Sequence, residues 1–166
     1  MNQDHLFAVD SSFWVRALMN DQMFCGAFTL TSVGAPPKAQ LLNPAGSGKN
    51  VYLAYCDQAS TSSYTLSVTR YDTALSTLRT TVTNMNLGAA APVAEVRQAT
   101  VVGATIGTMF LSFRSSSGGP MWFSSFDSEA VPIRLTPGMG MLLEANSSFQ
   151  TVTGHFYWAE IPVRQA

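Results

Sequence analysis

Apolar side chains recur at every second position through much of this chain, and seldom at the three- and four-residue spacing of a helix. From Tyr64 to Tyr71, Tyr64, Leu66 and Val68 alternate with Thr65, Ser67 and Thr69. Successive side chains of an extended strand point to opposite faces, so this alternation predicts a strand with one face buried. Phe24 to Val33 reads the same way from Ala27 on, with Phe28 and Leu30 as the large residues, and Gly34-Ala35-Pro36-Pro37 stops it. Val51 to Cys56 places Val51, Leu53 and Tyr55 on one face. Thr108 to Arg114 sets Met109, Leu111 and Phe113 against Phe110 and Ser112. Shorter runs are Ala39 to Leu42, ended by Asn43-Pro44, then Val93 to Val102, Met121 to Phe126, Val131 to Leu135, Met139 to Ala145 and Thr151 to Val163. Leu78 to Val82 is expected to pair with the Tyr64 strand. Asn84 to Pro92 and Ser115 to Pro120 read as connections.

About eight to ten short antiparallel strands at this spacing, punctuated by turn residues, predict an all-β sandwich of the jelly-roll kind. The exception is Ser12 to Met23. There Trp14, Ala17 and Leu18 fall on one face of a short helix capped by Ser11 or Ser12, or the segment is an extended arm. The expected organisation is residues 1–23 as arm or helix and 24–166 as the sandwich. At 166 residues one domain buries enough surface to fold without metal or disulfide.

Charge changes the picture more than length does. Only 11% of residues are Asp, Glu, Lys or Arg, and the net charge is −1. Soluble domains carry roughly a quarter. Polarity comes from 18 Ser and 16 Thr, and the only lysines are Lys38 and Lys49. Low charge suits a surface covered by neighbours, because interface cores are depleted of charge; it equally suits a neutral Ser/Thr-rich β-surface. No basic excess points to nucleic acid. No apolar run is long enough to span a bilayer, and no secretory leader precedes the first strand. Cys25 and Cys56 have no motif spacing and read as free thiols.

Candidate chemistry is sparse. Leu41-Leu42-Asn43-Pro44-Ala45-Gly46-Ser47-Gly48-Lys49-Asn50 approaches a phosphate-binding loop, but Asn43 stands where that loop opens on Gly and Asn50 where it needs Ser or Thr. No nucleotide is therefore expected. The segment reads as a turn whose glycines take positive φ, with Lys49 either solvating it or meeting an acidic partner. His155, among Phe156, Tyr157 and Trp158, reads as a strand histidine at a sheet edge or interface. His5 lies in a polar N-terminus. No nucleophile pentapeptide, Cys-x-x-Cys or clustered histidines appear, so neither catalysis nor a metal nor a cofactor is expected. Trp158 is expected in the core with its indole N–H partnered. Phe13 and Trp14 either staple a helix onto the sandwich or anchor the chain into a neighbour. Phe13, Trp14 and Lys49 are the candidate partner contacts.

Three segments, Leu-x-Asn-Pro-x-Gly-Ser-Gly-Lys-Asn-Val from Leu41, Pro132-x-x-Leu-x-Pro-Gly-x-Gly, and Gly154-x-Phe-x-Trp-x-Glu160, together resemble a pattern in virion proteins of tailed bacteriophages. These are the small jelly-roll proteins that decorate or cement heads. The resemblance covers about Leu41 to Glu160. It implies a non-catalytic virion protein on the capsid surface, made in the host cytoplasm, that binds the major capsid protein lattice as a homo-oligomer (dimer or trimer). The competing expectation is a carbohydrate- or receptor-binding module of a tail fibre or spike, with Tyr52, Tyr55, Tyr64, Tyr71 and Trp122 as stacking surfaces.

Overall fold

The computed structural model describes residues 13–31, 36–60, 64–78, 82–86, 89–99, 109–115, 121–124, 133–145 and 151–163. Of 13–15, 78, 109–115 and 121–124 it describes the backbone alone. Among the described residues a short helix α1 (Phe13–Met19) precedes twelve strands. These are β1 (Met23–Thr31), β2 (Lys38–Leu42), β3 (Lys49–Ser60), β4 (Tyr64–Arg70), β5 (Thr77–Leu78), β6 (Val82–Asn84), β7 (Glu95–Ala99), β8 (Met109–Ser115), β9 (Met121–Ser124), β10 (Ile133–Leu135), β11 (Gly140–Ala145) and β12 (Thr151–Pro162).

The strands form two antiparallel sheets packed as a sandwich. The first runs β10-β3-β12-β1-β6, and β9 pairs with β3 further along the edge that β10 occupies. The second runs β5-β7-β2-β11-β4-β8. From β1 to β4 the chain alternates between the sheets, and the return strands β11 and β12 slot between strands laid down early: β11 between β2 and β4, β12 between β3 and β1. The core lies between the sheets. Phe24, Phe28, Val51, Leu53, Phe156 and Trp158 come from the first, Leu41, Leu66, Val68, Val96, Met141 and Leu143 from the second. Gly26 lies in the same inward row of β1. A Cβ there would sit 2.5 Å from Val96 Cγ2 and 3.2 Å from the Trp158 ring, so the glycine makes room for the largest core side chain.

Strands with one solvent-facing side lie close to where alternation places them. Four expectations change. The described ends of the expected strand Leu78 to Val82 do not pair with β4, while 79–81 lie outside the described residues: Thr77–Leu78 pairs with β7, Val82–Asn84 pairs with β1, and β4 lies between β11 and β8. Tyr55 does not share a face with Val51 and Leu53. Across from Leu53 lies Trp158 and across from Tyr55 lies Tyr157, so Ala54 is an extra residue, and this β-bulge turns Tyr55 to the outer face. His155 is not at a sheet edge, because β12 is a central strand between β3 and β1. In α1, Ala17 is buried but Leu18 is 42% exposed; the helix rests on Ala54 and Ala159, a seat shaped for small side chains. The expected Ser11 or Ser12 cap, His5 and the turn at 116–120 lie outside the described residues, as do the side chains of Phe13, Trp14 and Trp122.

The outer face of the second sheet is also covered at its centre. Every residue of β2 is buried, Lys38 and Gln40 included. The connection from β4 to β5 folds over it, and Gln40 holds that connection: its Nε2 donates to the carbonyls of Tyr71 (2.7 Å) and Thr73 (3.0 Å), and its Oε1 accepts from Leu75 N (2.9 Å).

Candidate functional site

Two places gather polar groups, and they differ in what they can do. The first is the closed end of the sandwich around the near-match to a phosphate loop. Asn43 is fully buried, and its amide donates to the carbonyls of Lys49 (2.8 Å) and Leu135 (2.9 Å). Its backbone binds the second turn: Asn43 N donates to Met139 O (2.9 Å) and Gly138 N to Asn43 O (2.8 Å). Gly46 and Gly48 have φ of 80° and 68°, with open space where a Cβ would stand, so backbone conformation alone requires glycine there. A strand follows, not the helix whose N-terminus a phosphate loop uses.

Lys49 has the inward parity of Val51 and Leu53. Its ammonium donates to Glu160 Oε2 at 3.0 Å and lies 6.0 Å from the centre of the Phe24 ring. Glu160 is 1% exposed. Its carboxylate also accepts from Val93 N (2.9 Å), Ala94 N (2.8 Å) and Trp158 Nε1 (3.1 Å). A buried carboxylate is costly unless paired and hydrogen-bonded, and this one is both. It ties β3, β12 and the segment leading into β7. The chemistry here is structural.

The second place is the outer face of the first sheet. After the bulge, Tyr55 and Asp57 of β3 face outward beside Tyr157 and His155 of β12, and Cys25 of β1 lies across from Tyr157. Asp57 Oδ1 accepts from His155 N (2.8 Å) and lies 2.8 Å from His155 Nδ1. The carboxylate thereby fixes the ring and leaves Nε2 as the nitrogen available to a partner. The His155 side chain is 44% exposed. Ring centres are 5.5 Å apart for Tyr55 and Tyr157, and 5.9 Å for His155 and Tyr157. Burial raises the Cys25 thiol, Tyr157 opposes this by hydrogen bonding, and Asp57 adds to it. The thiol is thus neutral at ordinary pH and a poor nucleophile. Burial, with Cys25 and Asp57, pushes the Tyr157 hydroxyl up to about 12. The face offers aromatic surface and hydrogen bonds, which suits contact with a partner.

Of the sequence-derived partner contacts, Phe13 and Trp14 belong to the backbone of α1, and α1 packs on this same face through Ala17, in a cluster with Met23, Ala54 and Ala159 flanked by Tyr52, Tyr55 and Tyr157. Lys49 is separate from them, turned inward to Glu160. Tyr64 is core, 3% exposed. Asp57 and Glu160 are the functional side chains that alternation did not single out. Glu160 closes the third of the resembling segments and shares the inward parity of Trp158. Asp57 is legible only once the bulge is known. No family model matches the chain, and no curated protein matches it.

Proposed function

We propose that this chain is a virion structural protein of the tailed-bacteriophage type, which decorates or cements the capsid by binding the major capsid protein lattice as a homo-oligomer. The observation that carries the reading is the meeting of the three segments on which the resemblance rests. Taken separately, three short motifs are no more than coincidences of composition. Here Asn43 bonds the second segment through Gly138, Met139 and Leu135, and Lys49 bonds the third through Glu160. They are one hydrogen-bonded unit, the kind of feature a shared scaffold keeps. The strand order adds support: β1, β12, β3 and β10 facing β2, β11, β4 and β8, with β5, β6 and β7 on the far edges, is compatible with jelly-roll winding.

A cement protein acts as a ligand of the assembled state, stabilising it in proportion to occupancy, and an oligomer on a repeating lattice gains avidity. Co-sedimentation with tailed-phage capsids tests this. Saturable binding, with a higher capsid disruption temperature, is expected. No binding to any tested capsid at tens of micromolar would sink the reading. A second reading, a glycan-binding module, is favoured by the row of Tyr55, Tyr157 and His155 rings beside Asp57; glycan-array hits lost on Tyr157→Ala would select it instead.

A further inference from the structure

We propose that α1 is exchanged between copies, so that the seat on the outer face of the first sheet takes the helix of a second molecule. The inference deepens the homo-oligomeric part of the reading above and rests on it only for its biological setting.

Three observations carry it. The seat is an apolar slot of small residues, Ala54 and Ala159 with Met23, that accepts Ala17; all four are 3% exposed or less. Its complementarity to α1 is therefore on display, and a second copy presents the same helix. The helix has seven residues, too short to persist unsupported, so it must dock on some sheet. The connection between helix and sheet is three residues, Asn20-Asp21-Gln22, and Asp21 has φ of 56°, the only non-glycine described with positive φ. Short hinges under strain invite domain swapping, because opening them releases the strain while every docking contact is remade between chains. The closed hinge is held by Asp21 N to Leu18 O (3.2 Å), Gln22 N to Ala17 O (2.9 Å) and Asn84 Nδ2 to Asp21 O (2.9 Å). The strained residue is thus the one that must change conformation for α1 to leave.

The test alters the hinge and leaves helix and seat untouched. Light scattering measures molar mass against concentration for the full chain, Asp21→Gly and Asp21→Pro, with no capsid present. Glycine accepts positive φ and favours the closed hinge; proline excludes it and favours the open one. The expected result is a dimer dissociation constant at least tenfold lower for D21P and at least threefold higher for D21G. If D21P does not unfold cooperatively, Asp21→Val replaces it, since a β-branched residue also resists positive φ. Superimposable curves for all variants, whether monomeric or dimeric, would overturn the proposal. Capsid co-sedimentation of the same proteins reports on the decoration reading separately, so either can fail alone.

Discussion

At the scale of single residues, the buried pair Lys49–Glu160 makes an asymmetric prediction. Lys49→Met leaves a carboxylate buried with no cation, and breaking a buried pair from that side costs about 3–5 kcal/mol. Glu160→Gln leaves an ammonium that is a third exposed and can turn to water, while the amide still accepts from Val93, Ala94 or Trp158. It should cost less, about 1–3 kcal/mol. Urea unfolding of the two variants checks the order, and equal losses would contradict the inward geometry. Tyr64 gives a prediction of opposite sign. Its hydroxyl is buried without a hydrogen-bond partner among the described residues, so Tyr64→Phe should cost less than about 0.5 kcal/mol or stabilise. Burial first, then Cys56, pushes this hydroxyl from 10.0 up to about 12. A raised folded pKa gives stability that is intact below pH 10 and lost as pH climbs towards 12. Chemical unfolding across that window should therefore fall less steeply for Tyr64→Phe; an unchanged slope would show that Tyr64 does not titrate differently on folding.

At the scale of elements, the bulge at Ala54 decides which side chains reach solvent. Deleting Ala54 would remove the extra residue and restore strict alternation along β3 with the β12 pairing unchanged: Tyr55 would follow Leu53 opposite Tyr157, Tyr55 and Asp57 still outward and Cys56 and Gln58 still inward. The deletion should therefore cost only the Ala54 contact beneath α1, about 1–2 kcal/mol, and the deletant should still unfold cooperatively with a Tm lower by roughly 3–6 °C; loss of cooperative unfolding would mean that β3 does not close up on β12 in register. The same bulge marks the limit of what alternation could tell. Period two finds a strand with one wet face, as in β4 and β1. It fails where both faces are dry, as in β2, whose Gln40 looks like a surface residue until the connection from β4 folds over it. It is silent on pairing, because β11 and β12 insert between strands from the first half of the chain. Asp57 and His155 lie in strands far apart in sequence, and nothing local marks them as neighbours. Within the candidate site, sequence placed Phe13 and Trp14 on a short helix or an extended arm and missed that the segment shares its face with His155.

At the scale of the whole molecule, the low charge takes on a specific shape. The outer face of the first sheet is polar without being charged: Thr29, Thr31, Thr151 and Thr153 occupy one end, the Asp57–His155 pair the middle and α1 the other end. The Asp57 carboxylate already accepts from His155 N, so covering the face leaves it hydrogen-bonded. The boundary of α1 then sets the right truncation. Removing residues 1–23 would delete Met23, which opens β1 at 3% exposure, and Gln22, whose carbonyl accepts from Glu160 N at 2.9 Å. That variant confounds loss of the arm with damage to the sheet. Removing residues 1–19 leaves both in place and strips only the helix and what precedes it. The sandwich should remain folded, with a loss of about 1–2 kcal/mol from uncovering Ala54 and Ala159 and a Tm lower by roughly 3–6 °C. Under the decoration reading, capsid affinity should fall at least tenfold, because the truncation removes a contact that each subunit of the oligomer repeats. A folded truncate with unchanged capsid affinity would take α1 out of the interface and leave the His155 end of the face as the surface to mutate next.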